Sequence, residues 1–210
     1  LQAMFMRDRR VELKCVLFEG APSISRDANS PYLERFPVNK EELFNYDLVV
    51  FGDVDPHQLN AEQQRNLGEF VSRFGGSFLM VAGKRFSPNA WRNTPVEQIL
   101  PVEFDAQNTA AAAGEGTADK PVKLTLTAQG RNSTMLRFGD KDEESVALWK
   151  LLPPVYWVAK VSRAKPSAEV LLVEGLALRP DACRCRAAIR PRPVALRRHG
   201  QYVALAQKHG

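Results

Sequence analysis

The sequence holds few of the residues that build metal sites, disulfides and nucleophile–base pairs. Its 210 residues include 3 cysteines and 3 histidines, with no cysteine between Cys15 and Cys183 and no histidine between His57 and His199. Because His57 has no second histidine near it, the common zinc spacings are excluded there. A lone cysteine in an apolar run such as that around Cys15 is most often a small buried hydrophobic residue. We therefore predict no metal site, no other cofactor and no disulfide framework.

Long hydrophobic runs are also absent. No segment approaches the about 18 consecutive apolar residues that a membrane span needs. Residues 1–10 lack the continuous apolar core of a secretion signal. We expect this chain to insert no segment into a membrane. Its 44% hydrophobic and 25% charged residues are typical of a soluble globular protein, and its length fits one domain with or without an appendage.

Positive charge is concentrated near the end of the chain. The net charge is +5, yet residues 1–175 hold 21 basic and 23 acidic residues, a net charge of −2. Residues 176–210 hold 8 basic residues and 1 acidic residue. We therefore divide the chain into an α/β domain over 1–175 and an atypical basic tail over 176–210. Since the domain has no basic excess to neutralise phosphates, we expect no nucleic-acid partner for it.

The hydrophobic pattern predicts alternating strands and helices. Asn60 and Gln63 fit a capping box at the start of a helix, and a Gly-Gly pair ends that helix near residue 75. Strands predicted over 47–52 and 77–82 flank this helix, and such a βαβ unit implies parallel strands. Residues 106–119, rich in Ala, Gly and Thr, predict a mobile loop. Further predicted strands are 11–18, 121–127, 155–161 and 168–173, and further predicted helices are 40–45, 94–99 and 141–152.

Three stretches carry a family resemblance, and they cover most of residues 30–173. They read SPYLERFPVNKEELFNYDLVVFGDVDP, FVSRFGGSFLMVAGKRFSPNAWRNTPVEQILPVEF and LRFGDKDEESVALWKLLPPVYWVAKVSRAKPSAEVLLV. The chain resembles the class I glutamine amidotransferase-like domain of bacterial membrane proteins that also carry a von Willebrand factor A domain. The resemblance implies a flavodoxin-like, doubly wound, mainly parallel α/β sheet. It also implies a longer, membrane-anchored parent, so we expect the fold to be truncated at both ends.

The resemblance also bears on chemistry. Class I amidotransferases place a nucleophilic cysteine on a tight turn after a strand and pair it with a later histidine and glutamate. The corresponding turn here is VAGKRF, residues 81–86, which has no cysteine. The resemblance therefore implies a domain without glutaminase activity that acts as an interaction or ligand-sensing module. Its partners would be other domains of the parent or other proteins of a membrane complex, and we predict no catalytic residue.

The loop after the strand at 77–82 holds the candidate ligand-binding residues. Ligands of doubly wound sheets bind outside the carboxyl ends of the strands, and cationic, hydroxyl and amide side chains suit an anion or a polar ligand. The alternative is that the loop residues only shape and pack the loop, while the aspartate after the strand at 47–52 caps a turn. The candidates are Asp53, Arg85, Ser87, Asn89 and Arg92.

A rival interpretation is an enzyme that does not use cysteine. Several hydrolases share the amidotransferase-like fold, and Ser87 with Asp53 would then be the residues to suspect. Its weakness is that the sequence offers no base beside Ser87.

Two interpretations of the tail stay open. Sequences of the family usually end with a G-T-D-x-T-W-R-W-R segment, whereas this chain ends with HGQYVALAQKHG. A DNA sequence that encodes GTDNTWRWRKN also encodes HGQYVALAQKH, residues 199–209, when it is read in a shifted frame. The first interpretation is therefore an out-of-frame translation. The second is a genuine basic tail that binds nucleic acid or binds a metal through Cys183, Cys185 and His199.

Overall fold

The structure is a computed structural model that describes residues 5, 7–19, 30–104, 121–159, 161–174, 185–189 and 202–208. It shows a mixed α/β protein that divides into two compact units. Unit 1 comprises Leu1–Leu100 with Ala195–Gly210, and unit 2 comprises Pro101–Val194. This division differs from the boundary expected after residue 175, because the predicted tail contributes one described strand to each unit. The predicted mobile loop at 106–119 lies outside the described residues.

Most of the predicted elements form, in the predicted order, and the structure adds several short strands, one short helix and 3₁₀ turns that the sequence did not predict. Of the predicted elements, 94–99 forms as a 3₁₀ turn, and the described residues of 155–161 do not form a strand. The strands are β1 (Val11–Leu17), β2 (Tyr32–Leu33), β3 (Leu48–Phe51), β4 (Ser77–Met80), β5 (Val102–Glu103), β6 (Leu124–Leu126), β7 (Arg163–Ala164), β8 (Glu169–Glu174), β9 (Cys185–Ile189) and β10 (Tyr202–Lys208). The α-helices are α1 (Lys40–Leu43), α2 (Ala61–Ser72), α3 (Ala128–Asn132) and α4 (Asp142–Leu151), and 3₁₀ turns lie at Pro56–Gln58, Asn89–Trp91, Pro95–Ile99 and Thr134–Leu136.

Unit 1 is built on a five-stranded sheet with the order β2-β1-β10-β3-β4. β1 pairs with β2 in parallel, and β3 pairs with β4 in parallel. The predicted parallel βαβ unit, β3-α2-β4, is thereby confirmed. β10 lies between β1 and β3 and is antiparallel to both. The prediction of a mainly parallel sheet therefore holds only in part: of the pairings between described strands, two are parallel and five are antiparallel.

Helix α2 packs against β4, the Pro95–Ile99 turn and α1, and its sequence explains its limits. The Asn60 side chain accepts a hydrogen bond from the Gln63 amide at 2.8 Å, and the Gln63 side chain accepts one from the Asn60 amide at 2.9 Å. This reciprocal capping box confirms the predicted start. Leu67 and Phe70 are fully buried on the inner face. Gly75, at φ 81°, provides the left-handed residue that follows the helix.

The described part of unit 2 contains antiparallel strand pairs and two α-helices. β8 lies between β6 and β9, and β5 pairs with β7. Helix α3 packs on β8 so closely that a Cβ on Gly130 would overlap the Leu171 carbonyl. No helix in the described part of the chain is long and apolar enough to cross a membrane.

The predicted strand over 155–161 is wrong. Val155 forms only an isolated bridge with Val122, in which the two residues exchange backbone hydrogen bonds of 2.8 and 2.9 Å. Pro153 and Pro154 precede Val155. They lack the amide hydrogens that would extend the ladder on that side, so apolar, β-favouring residues alone do not make a strand here.

Candidate functional site

The candidate site lies where β3 and β4 end. Because the two strands run in parallel, their carboxyl ends meet at one edge of the sheet. Pairing continues one step past β4, where the Val81 amide donates to the Phe51 carbonyl at 2.8 Å. Asp53 follows β3, and the loop over residues 83–92, here called the β4 loop, follows β4. These two segments carry all five candidate residues.

Asp53 anchors the β4 loop. Its Oδ1 accepts hydrogen bonds from the backbone amides of Phe86 and Ser87, and its Oδ2 accepts one from the amide of Arg85, each at 2.8 Å. Hydrogen bonds to an ionised carboxylate are among the stronger ones in proteins. The carboxylate thus binds three successive amides of a loop more than 30 residues away in sequence. This is a different role from the local turn cap considered from the sequence.

Gly83 makes this arrangement sterically allowed. A Cβ at this position would overlap the Asp53 carboxylate and its Cβ. The Gly83 amide also donates to the Ser87 carbonyl at 2.9 Å, which closes the loop on itself. Position 83 therefore requires glycine because the Asp53 side chain packs against its Cα.

Ser87 is held as a structural residue. It is 2% exposed, and its hydroxyl donates to the Gly52 carbonyl at 3.1 Å. Its contact with Asp53 runs through the backbone amide. A nucleophilic serine needs an exposed hydroxyl that donates to a base, whereas this hydroxyl is buried and donates to a carbonyl. The structure therefore brings Ser87 and Asp53 together in a geometry that does not activate the serine.

Trp91 fixes the far end of the β4 loop, and two of the three remaining candidates, Asn89 and Arg92, flank it. The Trp91 side chain is fully buried, its Nε1 donates to the Val54 carbonyl at 3.1 Å, and its ring lies 5.4 Å from that of Phe51. Asn89 and Arg92 are half-buried at the two ends of this 3₁₀ turn, joined by a backbone hydrogen bond of 3.4 Å. Trp91 therefore plays the packing role that the sequence analysis gave as the alternative to ligand binding.

Arg85 is the candidate whose charge faces solvent. Its side chain is 61% exposed, and its guanidinium lies 3.4 Å from the Glu19 carboxylate and 5.0 Å from the centre of the Phe86 ring. Glu19, just beyond β1, is 56% exposed. Exposed ion pairs of this kind contribute about 0–1 kcal/mol. An anionic ligand can therefore compete with Glu19 for Arg85 at little cost.

A further pair at this edge was not assigned from the sequence. Asp55 Oδ1 accepts a hydrogen bond from the His57 amide at 2.9 Å and lies 2.8 Å from His57 Nδ1. Partial burial opposes ionisation of Asp55, but the backbone and ring hydrogen bonds of His57 outweigh it and lower the pKa of Asp55. The His57 ring is 93% exposed. In the tautomer whose Nδ1 donates to the Asp55 carboxylate, Nε2 is the unprotonated ring nitrogen and faces solvent. The Asp-Pro-His sequence is the signal that could have indicated this pair.

The arrangement offers no metal site of the usual kind. Among the described residues, no three or more histidine, cysteine, aspartate or glutamate side chains cluster in a way that could hold an ion. The Asp53 carboxylate already accepts three backbone hydrogen bonds.

Cys15 lies in the middle of β1, within a cluster that includes Leu13 and Val50. It is 7% exposed, and burial raises the pKa of its thiol from 9.0 to about 11. We expect alkylation of Cys15 by iodoacetamide at pH 8 to be on the order of 100-fold slower in the folded protein than in guanidinium, since the thiolate is the reactive form. Peptide mass spectrometry of a Cys183→Ser/Cys185→Ser variant measures this rate without interference. Equal rates in the two conditions would contradict the burial.

The same shift predicts a pH dependence of stability. A raised folded-state pKa means that the folded protein favours the neutral thiol of Cys15. This contribution to the free energy of unfolding is complete below about pH 9 and is lost as the pH rises towards about 11. Urea unfolding across this range, compared with a Cys15→Ala variant, isolates the contribution of the thiol.

Comparisons with known proteins assign no family. No protein-family model matches the chain, and no curated protein matches it. Among solved structures, the fold is similar to the cytoplasmic protein STM3548 from Salmonella typhimurium, with 17% sequence identity and a TM-score of 0.48. The match covers 69% of this chain and 60% of that one. A likeness at this level assigns no function.

Proposed function

We propose that this chain is a catalytically inactive, flavodoxin-like domain of the glutamine amidotransferase-like type. In this proposal it serves as an interaction or ligand-sensing module of a larger, membrane-anchored bacterial protein. The observation that carries the proposal is that the side chains considered for catalysis are either buried or already hydrogen-bonded within the fold. The Ser87 hydroxyl is buried and donates to Gly52, Asp53 binds three backbone amides, and the Cys15 thiol is buried and protonated.

The ligand that this edge suits best is an anion. Arg85 presents a largely exposed guanidinium, and Lys84 beside it is exposed as well. The backbone that carries both residues is held by Asp53 and Trp91, so their positions are set before a ligand arrives. Preorganisation of this kind lowers the entropic cost of binding. A carboxylate or phosphate group that displaces Glu19 from Arg85 would complete the site.

Replacing the exposed cation tests this proposal. We expect Arg85→Ala to weaken the binding of citrate or inorganic phosphate by about tenfold, the usual effect of losing one charge-assisted contact. Arg73→Ala is the matched control, because Arg73 is 78% exposed and is also paired with a glutamate, Glu69, at 3.9 Å. Isothermal titration calorimetry at low ionic strength measures both. Equal effects of the two substitutions, or no effect of either, would argue against a ligand site at Arg85.

Assays of activity test the other half of the proposal. The protein should release no ammonia from glutamine and hydrolyse no p-nitrophenyl ester above the rate of heat-unfolded protein. Activity that disappears in Cys15→Ser or Ser87→Ala would overturn the assignment as a non-enzyme.

Hydrolysis is the second candidate function, and the Asp55–His57 pair favours it. An imidazole oriented by a carboxylate, with its other nitrogen exposed, can act as a general base on a water molecule. This pair is the base that the rival interpretation lacked, although Ser87 is not its nucleophile. Under this alternative, His57→Ala removes ester hydrolysis and Ser87→Ala does not.

A further inference from the structure

The Pro56–Gln58 turn, which carries His57, is held in place by helix α2. Gln64 of that helix is 9% exposed, and its Nε2 donates to the carbonyls of Pro56 and Leu59, each at 3.1 Å. These two carbonyls lie on either side of His57 in the chain. The Leu59 amide also donates to the Pro56 carbonyl at 3.2 Å, which closes the turn. The backbone of His57 is therefore fixed, although its ring is 93% exposed.

The Asp55 carboxylate orients the His57 ring. Asp55 Oδ1 accepts a hydrogen bond from the His57 amide at 2.9 Å and lies 2.8 Å from Nδ1 of the ring. Nδ1 therefore faces the carboxylate, and Nε2 is the ring nitrogen left for other partners. In the tautomer whose Nδ1 donates, Nε2 is a hydrogen-bond acceptor. The turn thus presents one oriented acceptor to solvent.

Arg85 lies at the same edge of the sheet, close to this turn. The Asp53 carboxylate binds the Arg85 amide at 2.8 Å, and Asp55 follows two residues later, a span of at most about 7 Å of chain. Burial opposes ionisation of Asp55, but the hydrogen bonds of His57, and with them the positive charge of Arg85, lower its pKa. The guanidinium of Arg85 and the ring of His57 therefore both lie near the Asp55 carboxylate.

The two side chains offer complementary hydrogen-bonding groups. The Arg85 guanidinium has donors only, and it is 61% exposed. It suits the charged oxygens of an anion. The His57 Nε2 acceptor needs a donor instead. Sulfate and succinate would satisfy only the guanidinium. A ligand that satisfies both side chains carries a hydroxyl group on or beside its charged group, as hydrogen phosphate and the α-hydroxycarboxylates do.

We propose that Arg85 and His57 form one binding site for an oxyanion that carries a hydroxyl group. The guanidinium binds the charged oxygens in place of Glu19, and Nε2 of His57 accepts a hydrogen bond from the hydroxyl. Asp55 and Gln64 hold His57 in position before the ligand arrives, which lowers the entropic cost of binding. This inference rests on the anion site proposed at Arg85 and adds the residue that selects among anions.

Two pairs of anions, each differing in one hydroxyl group, test the proposal at pH 8. Hydrogen phosphate and sulfate are both tetrahedral dianions, and only the first has a hydroxyl. Malate and succinate differ by a hydroxyl on the carbon next to a carboxylate. Isothermal titration calorimetry at low ionic strength gives the four affinities. We expect the hydroxyl-bearing anion of at least one pair to bind about fivefold more tightly than its counterpart, the usual effect of one hydrogen bond.

The pair that shows this preference identifies the ligand. A preference for hydrogen phosphate alone places the hydroxyl on the charged group, whereas a preference for malate alone places it on the neighbouring carbon. No preference within either pair would overturn the proposal.

Variants of the turn assign the preference to its residue. His57→Phe should abolish it, because a phenyl ring keeps the shape of the side chain and has no nitrogen acceptor, while sulfate and succinate should bind as before. Gln58→Ala is the matched control, since Gln58 is an exposed residue of the same turn, and this variant should keep the preference. Arg85→Ala should weaken both members of each pair by about tenfold.

These results distinguish the inference from the anion site on which it rests. If binding depends on Arg85 but the preference is retained in His57→Phe, the role of His57 is refuted and the anion site stands. If no binding depends on Arg85, both are refuted. Nitrogen-15 NMR of the His57 ring gives an independent readout on the unsubstituted chain. The Nε2 resonance should shift with the preferred anion far more than with its counterpart, and equal shifts would contradict a hydrogen bond from the hydroxyl.

Discussion

Replacement of Asp53 by alanine should lower the free energy of unfolding of unit 1 by about 3–5 kcal/mol, because hydrogen bonds to charged groups contribute about 1.5–3 kcal/mol each and are not additive. The substitution removes the acceptor for three backbone amides at once, those of Arg85, Phe86 and Ser87. The β4 loop should then become mobile, with the amides of these residues exchanging rapidly. Urea unfolding followed by circular dichroism gives the stability, and hydrogen exchange locates the change.

Three further variants sharpen this prediction. Asp53→Asn keeps one carbonyl acceptor but presents an NH₂ group to the remaining amides, so it should cost less than alanine yet remain clearly destabilising. Gly83→Ala should loosen the same loop, because its Cβ overlaps the Asp53 side chain. Glu62→Ala, an exposed acid of α2, should change stability by about 0.5 kcal/mol or less. If Asp53→Ala were no more harmful than Glu62→Ala, the anchoring role of Asp53 would be refuted.

The second large effect is expected at Trp91. Its side chain is fully buried, packs against Phe51 and donates to the Val54 carbonyl. Trp91→Ala should lower the free energy of unfolding by about 3–5 kcal/mol, the range for deleting a buried aromatic side chain. Trp91→Phe keeps much of the packing and leaves the Val54 carbonyl without its partner, so a loss of about 1–3 kcal/mol is expected.

Urea unfolding by far-ultraviolet circular dichroism measures these variants, since fluorescence would change with the tryptophan itself. Phe74→Ala serves as the comparison, because Phe74 is an aromatic residue of the same unit that is 55% exposed and stacks on Phe44 at 4.6 Å. We expect its cost to be well below that of Trp91→Ala. A reversed order would show that the β4 loop is not held by Trp91.

Much of the local structure could be predicted from the sequence. The start of α2 depends on Asn60 and Gln63, whose side chains and amides bond to each other three residues apart. The end of the helix depends on Gly75 next to it. The strands on either side follow from short, continuous apolar runs, of which β3 is largely buried and the edge strand β4 is half-buried. Contacts of this range are encoded by neighbouring residues, so the βαβ unit was predicted correctly.

The failures of the sequence interpretation also have physical causes. The apolar run at 155–161 was predicted as a strand, but whether a ladder forms depends on its partner and on the prolines at 153 and 154. The central place of β10 depends on pairing with β1 and β3, which lie far from it in sequence. No local pattern specifies which two strands will accept a third between them.

The sequence by itself predicted that the β4 loop follows a strand and lies at the edge of the sheet where ligands often bind. It also indicated Asp53, Arg85, Ser87, Asn89 and Arg92 as residues of interest. Only the tertiary structure decided their roles. Asp53 and Ser87 hold the loop, while Arg85 faces solvent. The reason is that β3 and β4 lie side by side in parallel. That pairing brings a carboxylate to amides 32–34 residues away, a distance over which sequence spacing specifies no contact.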